Sequence, residues 1–264
     1  MRGKFSILFV FILIFTVSCG PKIETDFFKL AASGDIEGMK LLISKGTNVN
    51  SAATNGWTAL LFAMTNGSTA AVEYLISAGA NFSNKTGETT ALHFAVEHEL
   101  TQMIVLLKNK GVNPDMFSGI HTPLMLAAEK GLTNSIKVLL EQGAEIDAIN
   151  NFSWTALMYA VKAGQKEAVK LLVKGGASFK SKDYFDEKNV MIIAVESGNL
   201  DMLKLLAALG GDVNMPMKVQ SGAKLLFPTP LDIAEKLGDK KMIDYLKAKG
   251  AVSSTLSPDD GSGE

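Results

Sequence analysis

Apolar residues along this chain follow two patterns. Near the amino end they are nearly continuous: Phe5 to Val17 is apolar except for Ser6 and Thr16, and Arg2 and Lys4 precede it. Farther on they become periodic. Ile36, Met39, Leu42 and Ile43, and again Ile136, Leu139 and Leu140, stand at the spacing that puts side chains on one face of a helix. The periodic bursts are short and separated by glycines, which predicts many brief amphipathic helices rather than a few long ones.

The bursts repeat. Thr58-Ala59-Leu60 with Ala63 returns as Thr90-Ala91-Leu92 with Ala95, Thr122-Pro123-Leu124 with Ala127 and Thr155-Ala156-Leu157 with Ala160, at intervals of 32, 32 and 33 residues. The register extends to Thr25 upstream, then to Asn189 with Met191 and Ala194, and to Thr229-Pro230-Leu231 with Ala234, making seven copies. A glycine stands 21 residues after each of these Thr or Asn positions, from Gly46 to Gly250. Another lies twelve residues before each closing glycine (Gly34, Gly67, Gly131, Gly164, Gly198, Gly238), with Glu99 the exception.

Each unit reads as two helices. Thr or Asn at the first position caps an orphan helix N–H, with Thr25 the first such cap, and Pro123 and Pro230 follow where a helix start tolerates proline. The middle glycine reverses the chain in the left-handed conformation; Glu99 must do so without that freedom. Asp35, Ser68, Asn199 and Asp239 follow it and cap the second helix. A unit of about 33 residues cannot bury its own apolar face, so successive copies must stack.

On these residues the chain resembles the ankyrin repeat, most closely at His121-Thr122-Pro123-Leu124-Met125-Leu126-Ala127-Ala128 and Leu139-Leu140-Glu141-Gln142-Gly143-Ala144. The resemblance runs from about Thr25 to Ala251 and implies an all-α solenoid of about seven helix-turn-helix repeats with projecting β-hairpin fingers. It departs from the motif in places. Only His93 fills the motif's histidine position, where other copies have Leu61, Met125, Met158, Ile192 and Asp232, and Lys108 and Lys247 replace the second leucine of helix two.

The amino-terminal pattern has a separate reading. A basic start followed by a run covering only about 20 Å is too short for a stable span of about 30 Å and has the layout of an export signal. It ends at Val17-Ser18-Cys19-Gly20, which resembles a bacterial lipoprotein signal with Thr16 where such signals usually have leucine. That resemblance implies cleavage after Ser18, lipid on Cys19 and a place at the bacterial cell envelope, tethered to a membrane and facing periplasm or exterior. The expected organisation is a signal peptide at 1–18, a lipidated tether at 19–24, the repeat domain at 25–251 and a disordered tail at 252–264.

Charge and chemistry narrow the function. Lys plus Arg is 26 and Asp plus Glu 27, a net charge of −1 without the cationic excess that binding nucleic acid requires. Cys19 is the sole cysteine, so an intramolecular disulfide, a cysteine zinc site and a Cys-x-x-Cys redox pair are excluded. His93, Glu97, His98 and Glu99 form the one His and carboxylate cluster, but a step of five residues from His93 to His98 does not place two ligands on one helical face. No phosphate-binding or nucleophile-elbow string occurs. The expectation is a monomeric, non-enzymatic protein without cofactor or metal that binds another protein.

Residues the repeat does not require are the binding candidates. The connecting segments are Ser51 to Trp57, Asn84 to Thr89, Met116 to His121, Ala148 to Trp154, Ser181 to Lys188 and Met215 to Pro228, the last being the longest. In ankyrin proteins such segments form fingers that bind partners. Here they carry Trp57, Phe117, Phe152, Trp154, Tyr184, Phe185 and Phe227, with Lys218 and Lys224 in the long finger, and aromatic side chains anchor interfaces. Trp57 and Trp154, next to a cap threonine, could instead pack against the stack, and Leu225, Leu226 and Phe227 could cover the last repeat's edge. The leading expectation is an exported, membrane-tethered adaptor or scaffold; the alternative is a secreted bacterial effector that binds a host-cell protein.

Overall fold

The computed structural model describes residues 22–82, 90–185, 187–221 and 224–254. Cys19, the apolar run before it, residues 83–89 and the end of the chain from Thr255 lie outside the described residues. The chain divides into two compact units, Met1–Ala91 and Leu92–Glu264. The first contains two helix pairs, α1 (Lys22–Ser33) with α2 (Ile36–Ser44) and α3 (Ala59–Thr65) with α4 (Thr69–Ser77). In the second are α5 (Ala91–Glu97, its first residue at the boundary) with α6 (Thr101–Asn109), α7 (Pro123–Lys130) with α8 (Thr133–Glu141), and α9 (Ala156–Lys162) with α10 (Lys166–Lys174). They are followed by α11 (Val190–Glu196) with α12 (Leu200–Ala208) and α13 (Pro230–Leu237) with α14 (Lys240–Ala248). Between α12 and α13 the long finger forms an antiparallel hairpin of β1 (Val219–Ser221) and β2 (Lys224–Leu226), with Val219 opposite Leu226.

Within each unit, first helices pack on first helices and second helices on second helices. In the first unit α1 meets α3 and α2 meets α4; in the second, α7, α9, α11 and α13 follow one another, as do α6, α8 and α10. α9 and α11 are each sandwiched between two first helices, and every residue of Ala156–Val161 and Val190–Val195 is buried, as is every residue of Ala59–Met64 on α3. Helices of seven residues have no stability in isolation; this packing holds them. The second helices bury only one stripe, such as Ala168, Val169 and Leu172 on α10. This is the stacked helix-pair solenoid that the repeat predicts.

The caps hold for most copies. Asp35, Ser68, Asn199 and Asp239 each accept a hydrogen bond from the backbone N–H three residues on, and Thr122, Thr155, Asn189 and Thr229 cap the first helices of their pairs. Two positions differ. Thr58 sits at the cap of α3 without a side-chain cap bond, and its Oγ1 is buried with no hydrogen-bond partner. Thr25 lies inside α1, which starts at Lys22, so it is not the helix cap. The mid-repeat turns are left-handed, with φ of 69° at Gly131 and 51° at Glu99, where a side chain costs about 1–2 kcal/mol.

His93 is 2% exposed, and its Nε2 lies 3.0 Å from the carbonyl oxygen of His121, linking two successive copies. Asp232 occupies the matching position in the last copy and does different work. Its carboxylate accepts hydrogen bonds from the Ser253 hydroxyl and, at 3.1 Å, the Ser254 N–H, while the Thr229 hydroxyl donates to Val252 O at 2.9 Å. Residues 252–254 are thereby strapped to α13. Burial opposes ionisation of Asp232, but the bonds from Ser253, the Thr229 N–H and Ser254 outweigh it and hold its pKa below the usual value.

Candidate protein-binding surface

The fingers rise from a set of rungs. Asn50 Oδ1 accepts from Asn81 N–H at 2.7 Å, Asp115 from Glu145 at 2.9 Å, Asp147 from Ser178 at 3.0 Å and Asn214 from Val252 at 2.9 Å. In each case the acceptor stands four residues after one closing glycine and the donor two residues after the next. A short Asx side chain reaches the neighbouring backbone there without leaving its own turn. The sequence reading missed these rungs, although Asn or Asp at that offset after Gly46, Gly111, Gly143 and Gly210 was the available signal. After Gly176 the fourth residue is Lys180, whose ammonium cannot accept. That finger is held instead by Asn189 Nδ2, which donates at 3.2 Å to both Met215 O and Pro216 O.

Asn150 organises the finger before it. Buried to 5% exposure, its Nδ2 donates to Ile120 O at 3.0 Å and Tyr159 Oη at 2.8 Å, and its Oδ1 accepts from Phe152 N–H at 2.9 Å and Trp154 N–H at 3.0 Å. Burial pushes the Tyr159 pKa up, against the Asn150 bond, which lowers it. All four bonding positions of the side chain are filled, so the finger's shape is fixed before anything binds.

The aromatic candidates separate into two groups. Trp57 packs on Phe62 with ring centroids 5.3 Å apart, and Trp154 packs on Tyr159 at 5.1 Å with the Lys162 ammonium 5.0 Å from its ring. Both fold back on a first helix. Phe152, Tyr184 and Phe185 instead remain 39%, 71% and 71% exposed. The Tyr184 N–H donates to Phe152 O at 2.9 Å, joining two fingers, and the Phe152 and Phe185 rings stack 6.1 Å apart at 28°. Tyr184 meets Phe185 edge-on at 5.6 Å. Phe117 and Phe227 are exposed on other fingers of the same unit. Leu226 is exposed too, while Met217 is buried where its N–H closes the long finger onto Pro228 O.

Lys218 Nζ lies 3.3 Å from Glu187, which also takes Lys182 at 3.0 Å, and the two lysines lower the Glu187 pKa. Lys224 stands opposite Ser221 in the hairpin ladder. At or beside the first helices Lys130 pairs with Glu97 and Lys188 with Glu196 at 3.0 Å, and His121 Nε2 lies 3.2 Å from Glu129 Oε2, off the line of a hydrogen bond. The His and carboxylate cluster disperses. His93 points to His121 O, His98 lies against Phe94 and Glu97 pairs with Lys130. Among the described residues no group of His, Cys, Asp or Glu could hold a metal. The surface offers apolar contact at the exposed finger aromatics.

These features define an all-α repeat protein whose variable, outward-facing parts are its fingers. A family model described as ankyrin repeats (three copies) matches residues 27–118 and 115–183, more than half of the chain, which belongs to the ankyrin-repeat family. The ankyrin repeat domain of human ASB11 is similar over 84% of this chain and 96% of that one, with a TM-score of 0.64 at 22% identity. A chain from the complex of the predatory endopeptidase Bd0816 of Bdellovibrio bacteriovorus with immunity protein Bd3460 is similar over 69% of this chain and 96% of that one, with a TM-score of 0.56 at 27% identity. The B-cell lymphoma 3 protein homolog of Mus musculus is 37% identical over 79 residues, 30% of this chain and 18% of that protein, so the matched stretch spans less than a fifth of that relative. Ankyrin repeats are typically a non-enzymatic protein-interaction scaffold.

Proposed function

We propose that this chain is an exported ankyrin-repeat lipoprotein, tethered to a bacterial envelope membrane by lipid on Cys19, that acts as a non-enzymatic adaptor by gripping another protein with its fingers. The observation that carries the binding reading is the exposed aromatic group of Phe152, Tyr184 and Phe185, held by backbone and Asn150 hydrogen bonds. The order of Arg2 and Lys4, the short apolar run and Ser18-Cys19 supports the tether. The similar chain comes from a complex of a predatory endopeptidase with an immunity protein, which supports a protein as partner.

Two measurements test this. Mass spectrometry of the mature amino terminus should find acylated Cys19, and Cys19→Ser should release the protein from membranes, since two lipid chains anchor stably where one holds marginally. A photo-crosslinking residue at Tyr184 should join one recurrent envelope protein in living cells. A retained Met1 or free Cys19 thiol in secreted protein moves the reading to a released effector that binds a host-cell protein. No crosslinked protein from Tyr184, Phe117 or Phe227 defeats finger binding.

A further inference from the structure

We infer that one α-helix of the partner protein crosses the fingers 116–121, 148–154 and 181–188, laying an uncharged apolar face on them with two of its turns to each finger. This rests on the protein-binding reading and names the shape and chemistry of what is bound. Three observations carry it: how the fingers are joined, the charge they lack and the interval at which they repeat.

The three fingers form one continuous row. Asn150 Nδ2 donates to Ile120 O at 3.0 Å, joining the first to the second, and the Tyr184 N–H donates to Phe152 O at 2.9 Å, joining the second to the third. Each finger carries two apolar side chains between 39% and 71% exposed: Phe117 and Ile120, Ile149 and Phe152, Tyr184 and Phe185. Together they leave roughly 600 Å² open, at the upper end of what an ordinary monomer exposes and most of the roughly 800 Å² that one partner gives a standard interface.

The row selects an uncharged occupant. Fingers 116–121 and 148–154 contain no Lys, Arg, Asp or Glu, and His121 at the base of the first is turned to Glu129. On the third, Lys182 pairs with Glu187 and Lys188 with Glu196, each at 3.0 Å, and Asp183 is buried; Asp186 lies outside the described residues. A partner charge buried over the first two fingers would lose its water and find no counter-ion on them.

The interval selects a helix. The fingers lead into α7, α9 and α11, which pack on one another in that order, and packed helices lie about 8–10 Å apart. Seven residues of α-helix, two turns, advance about 10.5 Å and bring a side chain back to nearly the same face. A β-strand covers that interval in about three residues, and an odd step turns its side chain to the opposite face. A helix therefore meets every finger with one face, whereas a strand does so only on alternate fingers.

The test places a photo-crosslinking residue at Phe117, Phe152 or Tyr184 of the full chain in living cells and maps the attached residue on the captured protein. The three sites should attach within one partner segment, about seven residues apart from finger to finger and about fourteen from first to third. A synthetic peptide of that segment should become helical on binding the purified chain. Ile120→Ala with Ile149→Ala should weaken it at least about tenfold at an unchanged thermal midpoint, and Glu or Lys in place of the peptide residue facing Phe152 should each weaken it as much. Attachment at steps of about three residues or on separate segments overturns the inference, as does a peptide that binds without becoming helical or binds more tightly with either charge. Attachment to the fingers of a second copy of the chain, or to lipid, overturns it too. If Tyr184 alone attaches to a protein, the protein-binding reading stands and the crossing helix falls; if no site attaches, both fall.

Discussion

In the finger from Ala148 to Trp154, two aromatic side chains on one turn have opposite fates. Trp154 immediately precedes the cap of α9, folds back on Tyr159 and receives Lys162 over its face, whereas Phe152 at the tip stays exposed and stacks its ring on Phe185 of the next finger. Trp57 repeats the first behaviour in the other unit, packing on Phe62. The base of a finger is part of the fold, since the residue before a cap threonine lies over the helix that threonine starts. The tip has no such neighbour, and apolar surface left there is available to a partner. Aromatic content alone therefore does not mark a binding residue; its offset from the cap does.

The sharpest way to break this contrast is to truncate one side chain of each kind. Trp154→Ala should cost about 2–3 kcal/mol in urea unfolding, from lost packing on Tyr159 and lost contact with Lys162, whereas Phe185→Ala should change stability by less than about 0.5 kcal/mol. Comparable losses from both would place the tip within the fold. A smaller effect belongs to the rungs. Asp147→Ala leaves the Ser178 N–H without its acceptor and should cost about 1 kcal/mol, whereas Lys180→Ala, where no rung exists, should cost almost nothing.

The strap at Asp232 gives a pH dependence. Its folded pKa lies below the ordinary value, so its contribution to stability is present above the unfolded carboxylate pKa and lost as pH falls through the lower folded value. Hydrogen exchange at Ser254 should thus speed up in acid relative to the base-corrected rate, and Asp232→Asn should remove that dependence. Least in magnitude is Glu99→Gly. It relieves about 1–2 kcal/mol of left-handed strain, offset in part by glycine's larger unfolded entropy, so the urea midpoint should rise modestly.

Much of the fold was legible because the stack imposes its period on the sequence. The mid-repeat glycines, the caps at Asp35, Ser68, Asn199 and Asp239, and the left-handed turn at Glu99 all follow from backbone requirements that few residue types meet. Thr25 is not a cap because α1 starts three residues before it, and Thr58 makes no side-chain cap bond although its backbone is as extended as that of Thr155, a difference nothing in the structure explains. Less of the candidate site could be read. Joining Phe152 to Tyr184 takes a backbone bond between fingers, and pairing Lys218 with Glu187 takes their side-by-side placement; neither leaves a periodic trace. The Asx rungs did leave one, at a fixed offset from the closing glycines.

The central claim is that the finger tips bind a protein partner while the finger bases hold the fold. It is tested most directly by one variant, Phe152→Ala with Tyr184→Ala and Phe185→Ala, carried through thermal unfolding and capture of the crosslinked envelope protein on the same sample. The account predicts a midpoint within about 2 °C of the parent and loss of capture by at least about tenfold. A midpoint lowered by many degrees, or undiminished capture at an unchanged midpoint, would contradict it.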